Sequence, residues 1–161
     1  MTQVEKNNPF KKKRYSRVDK NMTTYYEELQ FSSAGENDMK DITNRIQQVV
    51  TQSQLTEGIA CVFVPGSTAS LTTIEFEPGL QKDFPAALNE IAPKKKYYSH
   101  HETWHDDNGR SHVKASLMGP SITIPFHEGK LIHGTWQQII FIDFDTRPRN
   151  RRVIVQLIGE K

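Results

Sequence analysis

The chain has 161 residues, 35% of them apolar, which suits one domain with a sizeable core and leaves too little for a second full domain. No apolar run is long enough to span a membrane and the N-terminus lacks a secretory pattern, so the cytoplasm is the expected compartment. The lone cysteine, Cys61, excludes an intrachain disulfide, and the net charge of +2 hides a split between a basic start and an acidic body.

Residues 1–22 hold seven of the 21 Lys/Arg and two of the 19 Asp/Glu, so 14 basic and 17 acidic residues remain in 23–161. The first stretch is polar and has no apolar period, and it reads as a mobile basic extension before a single domain over 23–161. An acidic body argues against nucleic acid as the partner. Thr24–Phe31 alternates and predicts a strand. Ser32–Asn37 reads as a turn. Ile42, Ile46, Val49 and Val50 mark one face of a helix, with Asn37 or Asp38 as its cap. Gly58 opens a buried strand, Ile59–Val64, in which Cys61 is expected to act as a small buried hydrophobe. Pro65-Gly66-Ser67 breaks that strand, and Ser70–Phe76 predicts another.

A helix is predicted from Leu80 to Ile91, with Leu80, Phe84, Ala87, Leu88 and Ile91 on its apolar face and Pro93 as its stop. Residues 94–110 have no period and read as a long loop. Ser111–Leu117 is a short helix. Ser121–Phe126, Lys130–Thr135 and Trp136–Phe144 read as an antiparallel meander turning at Glu128-Gly129, and Arg152–Ile158 as a last strand. The class is α+β, a mostly antiparallel sheet or sandwich with two or three helices.

Chemistry concentrates in a few places. His100, His101, His105 and His112 lie close in sequence beside Glu102, Asp106 and Asp107. Imidazoles and carboxylates at such spacing bind divalent ions or trade protons near neutral pH, although no strict zinc motif is present. The Gly66-Ser67-Thr68 turn can aim amides and hydroxyls at a phosphate, or simply join two strands. Glu75 and Asp83 offer carboxylates. Trp136-Gln137 suits stacking on a flat ring, or core packing. Arg147, Arg149, Arg151 and Arg152 can grip phosphates, contact RNA, or face water.

Read together, these segments resemble the small YjbQ-like family, whose members are described as secondary thiamine-phosphate synthases. The resemblance is carried by Ser111-His112-Val113-Lys114-Ala115-Ser116-Leu117-Met118-Gly119-Pro120-Ser121, then Ile124-Pro125, Gly129, Gly134-Thr135-Trp136-Gln137-Gln138-Ile139 and Asp143-Phe144-Asp145 with the arginine turn. Many members place His-Thr-Thr-Ala or His-Thr-Ser-Ala after the buried strand, where this chain has Gly66-Ser67-Thr68-Ala69. Glu75, Asp83, His100 and His112 match the family's other acidic residues and histidines.

The resemblance implies a homotrimer with the polar cluster near a subunit boundary. It also implies an enzyme that joins a pyrimidine-methyl pyrophosphate to a thiazole phosphate and releases pyrophosphate. On this expectation Glu75, His100 and His112 are catalytic. Ser67, Thr68, Lys114, Trp136, Gln137 and Arg149 bind the small phosphorylated substrate. A divalent metal, Mg²⁺ or Zn²⁺, sits on His100, His112 and His105, with His105 standing in for the histidine missing at Gly66. The competing expectations are a metal-assisted phosphoester hydrolase at the same cluster and a non-enzymatic trimer that binds a ligand or RNA.

Overall fold

The structure, a computed structural model, describes residues 22–161; the expected basic extension lies almost wholly outside these residues. The elements are β1 (Thr23–Ser33), β2 (Asp38–Asp41), α1 (Thr43–Ser53), β3 (Glu57–Phe63), β4 (Ala69–Ile74) and α2 (Leu80–Ile91), then α3 (His100–Trp104), α4 (Gly109–Met118), β5 (Ser121–His127), β6 (Lys130–Leu131), β7 (Gln138–Asp143) and β8 (Arg149–Glu160). A five-stranded sheet has the order β1-β8-β3-β5-β6, and a three-stranded sheet the order β2-β7-β4. Every pairing is antiparallel. The expected α+β class with antiparallel strands is what the chain adopts, with four helices where two or three were expected.

The two sheets face each other across the main core. Val153, Val155 and Leu157 of β8, Ala60 and Val62 of β3, and Ile139 and Phe141 of β7 meet Ile46, Val49 and Val50 of α1 there. Strand β7 is buried on both faces, because Ile142 and Phe144 turn outward to a second cluster with Leu88 of α2 and Ala115 of α4. That double burial is why Ile139–Ile142 is a continuous apolar run with no alternation.

The expected meander is corrected: β5 and β6 stay in the larger sheet, and β7 crosses to the smaller one. The strand expected at Lys130–Thr135 shortens to Lys130–Leu131, after which residues 132–137 face solvent. The helix cap is corrected too. Asn37 has a positive φ of 73°, and Asp38 begins the short β2, so neither caps α1. Asp41 accepts the Thr43 N–H at 2.9 Å instead. Helix α2 runs over the expected residues, but of its expected apolar face only Leu88 is buried, and Ile91 is 61% exposed. Cys61 is half-buried on the outer face of β3, so it is not the fully buried hydrophobe expected.

Gly58 and Gly159 oppose each other across β3 and β8. A Cβ at Gly159 would lie 2.0 Å from the Glu57 carbonyl oxygen and 3.1 Å from Phe126 Cζ. The ring of Phe126 therefore covers a cross-strand pair that tolerates no side chain. Gly159→Ala is expected to cost about 1–3 kcal/mol through forced displacement of the strand backbone. Thermal unfolding checks this; an unchanged Tm would show that β8 can shift freely.

Candidate functional site

The segment expected to be a loop, 94–110, contains α3 and the start of α4. Gly109 is what lets them meet. A Cβ there would stand 2.6 Å from Tyr98 Cβ and 3.2 Å from His100 Cβ. With no side chain in the way, the start of α3 lies against the first turn of α4, and the rings of His100 and His112 come within 4.4 Å, centroid to centroid, at 44°. His100 Nε2 is 3.6 Å from Asp106 Oδ1. With the amide nitrogen of Asn108 turned toward them, that nitrogen donates to His100 Nε2 at 3.2 Å and to Asp106 Oδ1 at 3.1 Å. This orientation makes Nε2 of His100 an acceptor and fixes its ring.

His112 is half-buried. Burial holds its pKa below the ordinary histidine value, and the neighbouring His100 pushes the same way; Asp106 and Asp145 oppose both. The ring is therefore neutral at pH 7 and able to take a proton.

Asp145 belongs to a second group at the same end of the three-stranded sheet. Alternation at the end of β7 puts Asp143 and Asp145 on one side and Phe144 on the other. Asp143 is fully buried and receives Arg151 Nε on Oδ2 and Nη2 on Oδ1, both at 2.7 Å. Arg151 Nη2 also donates to Thr68 Oγ1 at 2.8 Å, and Thr68 donates to Asp145 Oδ2 at 3.1 Å. Arg149 Nε donates to the same Asp145 oxygen at 3.0 Å. The carboxyl of Asp145 is held below the usual range by the Arg149 and Thr68 hydrogen bonds, against the effect of burial. Its Oδ1 is buried and has no hydrogen-bond partner among the described residues.

His100, His112, Thr68 and Arg149 share this end of the sheet. Ser67 is exposed on the turn beside it, and the Gly66 N–H is taken by the Val64 carbonyl at 2.9 Å, so the expected phosphate nest lacks that donor. Glu75, Trp136 and Gln137 lie at the other end. Ala69 pairs with Asp143 and Ile74 with Gln138, so Glu75 is roughly 20 Å from Thr68 along β4 at about 3.3 Å per residue. Trp136 is 68% exposed there, and Gln137 Oε1 accepts the Gly134 N–H at 2.8 Å. Asp83 is exposed on the first turn of α2.

Lys114 is also apart from the histidines. Two residues on a helix are about 200° apart, so Lys114 and His112 leave α4 in opposite directions.

His105 does not join His100 and His112. It ends α3 in the left-handed conformation, and its ring faces His101, four residues back, at 5.9 Å. No group of three or more His, Cys, Asp or Glu among the described residues could hold a metal ion. A Cβ at Gly66 would lie 3.2 Å from Arg151 Nη1, so the place of the family's first histidine is beside a guanidinium. The side chains of one chain therefore do not fit the expected three-histidine metal centre. Asp143 and Asp145 were not singled out from the sequence as site residues. The available signal was their spacing of two at the end of an apolar strand, followed by Arg149 and Arg151 at the same spacing.

The comparisons agree with this architecture. A family model described as "UPF0047 protein YjbQ-like" matches residues 27–160. The UPF0047 protein of Archaeoglobus fulgidus is 37% identical over 131 residues, which cover 81% of this chain and 99% of that protein. The UPF0047 protein MJ1081 of Methanocaldococcus jannaschii is 38% identical over 125 residues, 77% of this chain and 87% of that one. A crystal structure from Sulfolobus solfataricus, described as a YbjQ-like protein of unknown function, superposes with a TM-score of 0.81 at 32% identity, covering 86% of this chain and 99% of its own.

The electrostatics of His112 can be read directly. Its NMR titration midpoint is expected below the free-histidine value of about 6.5. It should move up in His100→Gln, which removes the like charge. A midpoint at or above the free value in the wild type would contradict the burial assigned to this ring.

Proposed function

Because the chain belongs to the UPF0047 YjbQ-like family, we propose that it is an enzyme acting on a small phosphorylated substrate at the His100–His112 and Asp145–Arg149 end of the smaller sheet. The activity is of thiamine-phosphate-synthase type. The ring nitrogen of a thiazole phosphate attacks the methylene carbon of a pyrimidine-methyl diphosphate, the methylene C–O bond breaks, and pyrophosphate leaves with the bonding pair.

The observation that carries this reading is that the His100–His112 ring pair and the Asp145–Arg149 ion pair gather at one end of β7, where Ser111, next to His112, donates to the carbonyl of Phe144, next to Asp145. Negative charge grows on the leaving pyrophosphate. The Arg149 fork, anchored through Nε and otherwise open to solvent, is suited to receive it. His112, neutral near pH 7, can exchange a proton with a phosphate oxygen, and His100 is a positioning residue that sets the ring and its proton affinity.

Assembly as a homotrimer is part of the proposal. Glu75 and Trp136 lie too far along the sheet to reach the histidines of their own chain, and a neighbouring copy would bring them near. Exposed Trp104, Leu117 and Trp136 support such an interface. Among the described residues no helix is long and apolar enough to cross a membrane.

The test is product formation by the purified protein given both phosphorylated precursors and Mg²⁺. The wild type should form thiamine phosphate well above background, and His112→Ala should lower turnover on the order of 100-fold, the scale of a lost acid–base group. Absence of product, or unchanged turnover in His112→Ala, overturns the reading.

A further inference from the structure

On the Phe144 side of β7, away from Asp143 and Asp145, a polar cavity of about 230 Å³ lies among α2, α4 and the turn after β1. The turn is clasped to the sheet end by the Glu36 N–H on the Asp145 carbonyl at 2.6 Å and the Asn37 N–H on the Asp143 carbonyl at 2.7 Å. Lys94, Arg110 and Lys114 line the cavity against a single carboxylate, Glu36.

The charges are unevenly matched. Arg110 pairs with Glu36 at 2.6 Å and with Asp107 at 3.2 Å. Lys94 pairs with the same Glu36 oxygen at 2.9 Å. Lys114 is only 3% exposed, and no carboxylate among the described residues pairs with it. Its Nζ donates to the neutral Asn89 Oδ1 and stands 6.0 Å from the centre of the Phe144 ring. A buried ammonium with one neutral partner is costly unless an anion completes it.

We infer that this cavity is a second ligand site, separate from the histidine end, that binds a phosphate group with Lys114 as its central contact and Arg110 and Lys94 as its rim. Three cations against Glu36 in the lining and Asp107 on Arg110 leave a local charge of +1, which attracts the charge of about −1.5 to −2 on a phosphate monoester at pH 7. The volume admits a phosphate and a small organic group; it falls below the roughly 300–1,000 Å³ of pockets that enclose drug-sized ligands. Inorganic phosphate and the phosphate of a small monoester share this chemistry.

The two can be told apart by titrating the full chain calorimetrically with inorganic phosphate and, separately, with methyl phosphate. An Arg149→Gln background removes the open guanidinium of the other site. One phosphate per chain should still bind in that background, and adding Lys114→Met should weaken it at least tenfold. Tighter binding of methyl phosphate assigns the site to a monoester, and tighter binding of inorganic phosphate to the free ion. Lys114→Met should keep or raise Tm, since it removes an unpaired buried charge. Lys114→Gln should show the same loss of affinity with a polar group retained. Phosphate binding unchanged in both Lys114 variants, or no binding at millimolar phosphate in the Arg149→Gln background, overturns the inference. Because that background leaves out the site proposed for catalysis, failure here leaves the enzymatic reading standing, and the converse also holds.

Discussion

The Asp143–Arg151 pair holds the two sheets together where the functional groups gather. Asp143 ends β7 in the smaller sheet and Arg151 sits near the start of β8 in the larger one. Two parallel N–H···O bonds at 2.7 Å satisfy both oxygens of a carboxylate with no solvent access. Such a pair is stable only when its geometry is this complete, and removing one member strands the other charge at a cost of about 3–5 kcal/mol. The remaining groups hang from it. Arg151 places the Thr68 hydroxyl, Thr68 and Arg149 place Asp145, and Asp145 reaches His112 through its charge.

Around that anchor the end of β7 divides polar groups by strand alternation. Asp143 and Asp145 turn to the arginines and to His112, and Phe144 turns to Lys114 and the polar cavity. Helix α4 repeats the division, with His112 and Lys114 on opposite faces. One strand end and one helix therefore serve two separate polar environments. In one, a buried carboxylate is matched by guanidinium groups. In the other, a buried ammonium faces only a neutral amide.

Much of the fold was legible in the sequence. The apolar spacing of Leu80–Ile91 and the Pro93 stop gave helix α2 its ends, and the alternation of β1 and β8 gave those strands. Strand β2 was hidden because four residues, three of them charged, carry no period. The segment 94–110 shows no helical period in the sequence because α3 is one turn long and Gly109 hides the start of α4. The site was legible only in part. His100 and His112 were visible as residue types, and their convergence depends on a glycine contact that no local pattern records. His105 looked equivalent by spacing, yet the helical period turns it toward His101. The Asp143–Arg151 pair spans two sheets, so its partners could not be matched from chain order.

Asp143 and Arg151 act as one coupled unit, joined by two hydrogen bonds across the sheets. A double-mutant cycle with Asp143→Asn and Arg151→Met, followed by equilibrium unfolding, measures this directly. A coupling energy of about 1.5 kcal/mol or more is expected for a close, desolvated charge pair. Additive effects within about 0.5 kcal/mol, the behaviour of independent sites, would contradict it.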